Sequence, residues 1–527
     1  MRWNSIFKTL PDGATYAIVI ALCVPAFWIN LNVMPFIGDE GIRSGVALEM
    51  YLSGNYLTPT LNGEPYLNKP PLYNWVLVGA RFLFGAFGEW PARNTTLLFL
   101  GLFAATVFVQ VRNTFGKHAG ILAAFMLVSS GRILFWDSML GLIDICFSWL
   151  IYLNWMLWYQ WGRKGYWWRL FVVSYGITAA AFLMKGLPAL VFQAFSVPAA
   201  LVLLGSWRKL FSAQHVAGVL AGILLGASYY VAYADAVSLE KAFAVLLDQS
   251  LQRTATHFGI WKTIVHLFTF PLEQVYHFLP WSLLLILVAH PRFRTMVQHE
   301  PFVRFNAWML LVNLPVYWSS VEVYPRYLLM FVPLFNVIFV YAYRQLEPTI
   351  WARTLRWIYG AIAVAVVLAV ACLPAVSRLY LLPSFHLLWL LTLIPALLVA
   401  WAVLTDSRRM LLWTVAVVLV VRIGLNLFVL PFRAEEARYG YSREQAARAV
   451  DRFPDKPWRL YGQTAMDNTA RFYLENAAQQ VMTRTESIDS NAVYIVERGR
   501  YPDFPGIPVD SILISGRFYV QICVFDR

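Results

Sequence analysis

Apolar residues run along this chain in long, nearly charge-free windows, separated by short connections that collect arginine and lysine. About 20 apolar residues suffice to cross the hydrocarbon of a bilayer, and on that measure about thirteen spans are predicted. They fall at residues 14–34, 95–111, 120–135, 140–160, 170–184, 187–204, 216–233, 278–290, 302–318, 327–343, 357–376, 385–404 and 411–430. Every second connection is basic: Arg2 and Lys8, then Arg112 and Lys117, then Arg163, Lys164 and Arg169, then Arg208 and Lys209. The series continues with Arg292, Arg294 and Arg304, then Arg344, Arg353 and Arg356, then Arg408 and Arg409. Basic connections stay in the cytoplasm, so the N-terminus is predicted inside and the C-terminus outside. The first span carries no small-residue cleavage site and reads as a retained signal-anchor.

Two outer connections are long, 35–94 and 234–277. In the first, Ile42, Val46, Met50 and Leu52 recur near helical spacing and Gly54 follows as a stop. That pattern predicts an amphipathic helix lying on the outer surface. Residues 73–87 form a second such helix or a short extra span. From 433 onward charge rises, and the stretches "WRLYGQ", "AVYIVER" and "SILISGRFYVQICVF" alternate as strands do, with a turn at Ser515-Gly516 and a helix over "NTARFYLENAAQQ". The expectation is an α-helical polytopic membrane protein, 1–432, carrying a small extracytoplasmic α/β domain, 433–527, long enough to fold alone.

Composition agrees. The 527 residues are 59% hydrophobic and only 13% charged, too apolar for one soluble core, and the 22 tryptophans and 27 tyrosines suit an interfacial belt. The net charge of +13 invites a nucleic-acid reading, but the cations sit in the turns between spans, where they orient a membrane protein. Cys23, Cys146 and Cys372 lie in apolar runs and Cys523 near the end, so neither a structural disulfide nor a cysteine metal site is expected.

Candidate chemistry clusters in the outer connections. Asp39 and Glu40 stand side by side after "MPFIG", where the first span meets water. They are read either as carboxylates stabilising the start of the helix that follows or, being partly desolvated, as proton acceptors. Asp144, in "MLGLIDICFSWL", is an ionisable group in or at the edge of a span: a functional acid, or the partner of a cation such as Arg93 or Arg132. Lys69 precedes two prolines that hold it extended, a fixed point charge for a phosphate. Lys185, in "FLMKGLPAL", is either a second such charge or a loop lysine reaching to water. Arg326-Tyr327, in "VYPRYLLM", places an arginine on the outer side, where orientation gives it no reason to be. Arg253, His257 and His266 lie in the second long loop. Carboxylates and cations on one side of the membrane suit a transfer in which an acceptor is deprotonated and a departing phosphate is neutralised. A sugar on a polyprenyl phosphate meets these terms.

The stretch "DEGIRSGVALEMYLSGNYLTPTLNGEPYLNKPPLYNW" with "WPARNTTLLF" resembles the first outer loop of GT-C type membrane glycosyltransferases. The group is that of the protein O-mannosyltransferases and aminoarabinose lipid A transferases. "MLGLIDICFSWL", "FLMKGLPAL" and "VYPRYLLMFVP" resemble later motifs in the same order. The resemblance implies that Asp39 is the catalytic base or the group orienting the acceptor, that Lys69 lies beside the donor phosphate, and that Asp144 is a second acid near the cavity. It further implies that Tyr327 and its neighbour Arg326 lie near that phosphate and that Arg253 contacts it. Glu40 and Lys185 complete the expected substrate-contacting set. The aminoarabinose enzymes tend to carry a metal-linked glutamate before Lys-Pro-Pro, where this chain has Asn68, and Ile42-Arg43 replaces the Arg-Tyr that often follows Asp-Glu-Gly.

The expected function is therefore an inner-membrane glycosyltransferase that passes a sugar from polyprenyl (in bacteria, undecaprenyl) phosphate to lipid A, another envelope glycan or a protein at the outer face. It would proceed by one inverting displacement that requires no cofactor; a divalent metal is possible but not indicated. A transporter or flippase for a lipid-linked sugar is the second class, although no paired halves or matching interrupted spans are seen.

Overall fold

The computed structural model describes residues 10–235, 238–251, 259–346, 349–436, 443–514 and 518–525. Among them, seven helices are long and apolar enough to cross a membrane: Glu89–Phe115, Trp167–Lys185, Ala213–Tyr233, Pro325–Gln345, Ile350–Ala375, Phe385–Thr405 and Ser407–Phe428. An eighth arises if Lys117–Val128 and Gly131–Met139, bent by 48°, count as one, and Asp12–Trp28, Leu72–Phe84 and Pro188–Leu203 are shorter apolar helices.

The thirteen expected spans differ from these elements where proline or a polar residue interrupts the helix. Residues 278–290 become a 3-10 segment, Trp281–Ala289, after Pro280. The 302–318 run is a helix, Pro301–Asn313, restarted at Pro315. The 140–160 run begins its helix only at Asp144 and extends to Arg163.

Burial sorts the helices. Phe385–Thr405 exposes Leu387, Leu391, Ile394 and Leu404, an apolar face for lipid, whereas Met410–Phe428 is buried almost throughout. That central helix packs between Phe385–Thr405 and Asp12–Trp28. Its buried Arg422 donates to the carbonyls of Ala26 and Leu134, and Asn426 donates to Ala26 at 2.9 Å. The polar side chains thus satisfy carbonyls that the end of the first helix leaves without intrahelical partners.

A second buried arginine extends this arrangement. Arg93 donates to the carbonyls of Leu31 (2.7 Å), Met34 (2.9 Å) and Pro35 (3.0 Å). It also forks onto Glu40, with both bonds at 3.1 Å. Glu40 further accepts from the backbone N–H of Ile37 at 2.9 Å and of Gly141 at 2.6 Å. One fully buried pair therefore ties three pieces of chain together.

The C-terminal region is a five-stranded mixed sheet in the order 483–485, 458–461, 493–496, 518–524, 507–514, parallel across the first three strands and antiparallel across the rest. The three expected stretches supply four of the strands, the last two from either side of the expected turn, and the 468–478 helix is present; the sequence reading missed strand Thr483–Thr485 and helix Arg443–Arg452. The expected Ser515-Gly516 turn lies outside the described residues. The Asp39–Ser53 helix does end at Gly54, with φ at 69°. It is not a surface element, however: Val46, Ala47, Leu48 and Met50 are wholly buried, because the Asn468–Ala478 helix covers it.

Replacing Arg93 with Met should strand the Glu40 charge in the interior, a loss on the order of 3–5 kcal/mol. Thermal melting in detergent should show a lowered midpoint, and adding Glu40→Gln should recover part of it. A midpoint unchanged in Arg93→Met would count against the pair as a fold-holding contact.

Candidate active site

Gly38 adopts φ 58° and ψ −121°, a backbone state open to glycine, and it turns the chain sharply into the Asp39–Ser53 helix. The first turn carries Asp39 and Glu40 where the helix dipole favours negative charge. Successive helical residues point about 100° apart. Glu40 accordingly turns inward, at 0% side-chain exposure, while Asp39 stays open at 45%. Glu40, expected to contact substrate, is instead placed inside the protein with its carboxylate engaged by Arg93 and two backbone donors.

Asp39 starts a chain of alternating charges. Its Oδ2 accepts from Arg326 Nη2 at 2.8 Å, and Arg326 Nε lies 3.6 Å from Asp144 Oδ2. Asp144 Oδ1 in turn accepts from Lys185 Nζ at 2.6 Å. Each member is held at the end of an element. Asp144 opens the Asp144–Arg163 helix, and Lys185 closes Trp167–Lys185 where Gly186, at φ 85°, ends it. Arg326 sits on the 3-10 segment Pro325–Phe331. Exposure drops inward, from 45% at Asp39 through 16% at Arg326 to 5% at Asp144 and 7% at Lys185. Tyr327 flanks the network, with Lys185 Nζ 4.1 Å from its ring centre. Neither Arg93 nor Arg132 is the partner of Asp144; Arg132 pairs with Asp137, with both bonds at 3.1 Å.

Lys69 lies in the turn between the small 60–65 hairpin and the Leu72–Phe84 helix, in a narrow pocket with Tyr66, Tyr229, Tyr230 and Tyr233. Arg43, one turn along the helix from Asp39, donates to the Tyr66 hydroxyl at 3.0 Å. The Asp39 helix and the Lys69 pocket are thus joined through Arg43 and Tyr66. Arg253 and His257 lie outside the described residues. His266 packs on Phe270 with ring centres 5.3 Å apart. The sequence reading missed Arg43, Tyr66 and the three tyrosines. The signal was there in "SYYVAY", where aromatic rings repeat on one helical face at a span end. Around Lys69 the side chains are chiefly tyrosines with Asn68 adjacent, and among the described residues no group of three or more His, Cys, Asp or Glu could hold a metal, so no step is routed through one.

The C-terminal helix sets the geometry from outside. A Cβ on Gly41 would meet Thr469 N at 3.0 Å, and one on Gly45 would lie 2.3 Å from Arg471 Nη2, so the two glycines permit the close approach. Tyr473 accepts from Phe36 N–H at 3.2 Å and donates to Glu89, and Thr469 donates to the Phe36 carbonyl at 3.3 Å. Buried Arg471 stands 3.6 Å from Glu49 and 3.8 Å from Glu475. Glu49 accepts from Asn62 and Gly63 N–H at 2.7 and 3.0 Å, holding the hairpin that leads to Lys69. Burial pushes the Glu475 carboxyl up to about 8, against the pull of Arg471 and with a push from Glu49.

An apolar cavity of about 260 Å³ is lined in part by the 3-10 segment that carries Arg326. Its wall includes Leu328 and Phe331, just beyond Arg326 and Tyr327, with Phe270, Trp281, Leu310 and Phe335.

Comparison with known proteins places this architecture. The chain has the GT-C type fold of membrane-embedded glycosyltransferases. Over 97% of its length, and 98% of the other chain, it superposes on the crystal structure of ArnT from Cupriavidus metallidurans bound to undecaprenyl phosphate, with a TM-score of 0.69 and 19% identity. The apo state of the same protein gives a TM-score of 0.68 at 17% identity, covering 96% of this chain and 97% of that one. Residues 68–233 match the dolichyl-phosphate-mannose-protein mannosyltransferase family. An uncharacterized protein of Aquifex aeolicus (strain VF5) is 28% identical over 222 residues, which is 41% of this chain and 42% of that relative's length.

Because folding raises the Glu475 pKa, its contribution to stability is full below the unfolded value near 4.5 and is lost as pH rises through about 8. Between those limits the thermal midpoint of the protein should fall with pH more steeply than that of Glu475→Gln. Parallel curves for the two proteins would show that Glu475 is not held protonated.

Proposed function

We propose that this protein is a glycosyltransferase that moves a sugar from a polyprenyl-phosphate donor to a hydroxyl or amine acceptor at the extracytoplasmic face of the inner membrane. The observation that carries the reading is the Asp39–Arg326–Asp144–Lys185 series, open at the Asp39 end, with Arg326 on the same 3-10 segment whose Leu328 and Phe331 line an apolar cavity. An exposed carboxylate serves as base, guanidinium and ammonium groups meet phosphate, and an apolar wall admits an isoprenoid tail. The undecaprenyl phosphate held by the Cupriavidus ArnT, which shares the fold, is a lipid of the kind this cavity suits.

In this mechanism Asp39 takes the acceptor proton as the acceptor atom bonds to the anomeric carbon. The bond from that carbon to the phosphate oxygen breaks, and the polyprenyl phosphate leaves carrying the electron pair. The configuration inverts. Lys69 and Arg326 meet the developing charge, with Tyr327 beside Arg326, while Asp144 and Lys185 fix the position of Arg326. Asp39 is paired with Arg326 at 2.8 Å before substrate arrives. A donor phosphate gives Arg326 a further anionic partner beside Asp39 and Asp144 and loosens its hold on the base. Glu40, saturated by its own partners, positions the turn that presents Asp39. The acceptor is lipid A, another envelope glycan or a protein.

Two substitutions test the roles. Asp39→Asn should lower transfer by about 10²–10⁴-fold with donor binding retained; full turnover would remove Asp39 as the base. Lys69→Ala should weaken donor binding or slow the chemistry, and unchanged turnover would remove the lysine from the phosphate site. For the function itself, membranes containing the protein should transfer label from a radiolabelled polyprenyl-phosphate sugar into an envelope fraction. Movement of the lipid-linked sugar across vesicles with no covalent transfer would replace this reading with a flippase. Mass spectrometry of lipid A, surface glycans and envelope proteins from a deletion strain should identify the acceptor by its missing mass.

A further inference from the structure

The helix that begins at Asp144 ends at Arg163, and its 20 residues span about 30 Å. Arg163 therefore stands at the end of this helix remote from Asp144 and the candidate active site, separated from it by about the thickness of the hydrocarbon. There the structure has a second, quite different cavity of about 610 Å³. Arg163 and Lys164 line it from one connection and Arg304 from another some 140 residues away in sequence, with Trp167, Leu204 and Phe305 completing the wall. A fourth cation stands at its edge, Lys209, whose Nζ is 5.8 Å from the Trp167 ring centre.

Orientation in the membrane accounts for basic residues on this face, but it does not account for gathering cations from separate connections into one cleft. Their local balance is unlike that of the active-site end. Among the described residues, no carboxylate lies within 4 Å of Arg163, Lys164 or Arg304 in an ion pair. Arg163 donates to the Tyr159 hydroxyl. The nearest acid in the sequence, Glu300, caps the helix that carries Arg304 and accepts from Phe302 N–H at 3.5 Å; no ion pair to the three cations is formed among the described residues. Three like charges not paired with a carboxylate repel one another, and an anion between them relieves the repulsion.

The lining also says where the anion comes from. Leu203, Leu204 and Phe305 give the cleft an apolar wall, and Trp168, Trp207 and Phe211 stand exposed around this end of the bundle, as aromatic residues do at headgroup depth. A soluble phosphate has no use for that wall, whereas a phospholipid uses both parts. We propose that this cleft is a binding site for the headgroup of an anionic phospholipid, its phosphate between Arg163, Lys164 and Arg304 and an acyl chain along Leu203 and Leu204. The site is separate from the donor site and does not rest on the proposed transferase activity.

The test uses the full-length protein in neutral detergent, titrated with phosphatidylglycerol or with phosphatidylcholine of the same chains and read by native mass spectrometry. Phosphatidylglycerol should be retained several-fold more than phosphatidylcholine. In the combined variant Arg163→Gln, Lys164→Gln, Arg304→Gln that preference should collapse, each cation contributing about five-fold. Equal retention of the two lipids by the unmodified protein overturns the proposal, whether or not the variant can be purified. A preference that survives in a variant with an unchanged melting curve overturns it too. Displacement of bound phosphatidylglycerol by millimolar inorganic phosphate or glycerol 1-phosphate would show a soluble-anion site instead; persistence of the lipid under that challenge supports the assignment.

Discussion

Two neighbouring carboxylates cannot face the same way on a helix, and the arrangement at Asp39 and Glu40 follows from that constraint. Glu40 is drawn inside by Arg93, which at the same time holds three carbonyls of the 31–35 turn. Once Glu40 is fixed, the helical step leaves Asp39 at the mouth of the site. A buried ion pair is a weak source of net stability, because desolvation offsets much of its attraction. Its value here is geometric: the first helix, the second span and the 140–143 turn meet at one side chain, so the open carboxylate has a single orientation.

The ionisable groups that follow Asp39 are paired with partners of opposite sign in apolar surroundings. A lone lysine or aspartate at the depth of Lys185 and Asp144 would be costly. Together they bond at 2.6 Å, and the remaining carboxylate oxygen faces Arg326. Exposure falls from Asp39 inward, so the buried members serve as a fixed foundation and the outer pair meets solvent. The C-terminal helix acts on the same element from the opposite side. Through Gly41 and Gly45 it packs directly on the Asp39–Ser53 helix, and the Arg471–Glu49 contact reaches the hairpin before Lys69. The C-terminal region is therefore one wall of the site's scaffold.

Much of this was legible in the sequence for physical reasons. Apolar windows and alternating basic turns gave the membrane class, and the acid pair, Lys69, Asp144, Lys185 and Arg326 stood out because charge is rare in such surroundings. Asp39, Arg326, Asp144 and Lys185 do come together. What could not be read was the pairing: Arg93 and Arg132 were plausible partners for Asp144, yet each serves another acid, and tertiary geometry alone decides which. Composition windows also count residues without asking whether the backbone can stay helical, so 278–290 and 302–318 read as spans although Pro280 and Pro315 interrupt them. The amphipathic 39–53 helix showed the right periodicity, but an apolar face does not say whether lipid or protein will cover it. Here the Asn468–Ala478 helix covers it.

The two ends of the bundle treat cations in opposite ways, and the contrast bears on turnover. At the Asp39 end Arg326 and Lys185 already hold carboxylates, so an incoming phosphate must compete with Asp39 and gains less than the full attraction of free cations. A group bound on those terms is also released when the resident carboxylate returns, as the proposed donor site requires after each transfer. At the Arg163 end the cations have no acid partner within ion-pair distance among the described residues, and an anion there meets no such competition from them. Tight, lasting occupancy suits a lipid that stays with the protein; moderated, exchangeable occupancy suits one that is consumed. The same side-chain chemistry serves either purpose, and the deciding variable is whether the protein supplies the counter-charge itself.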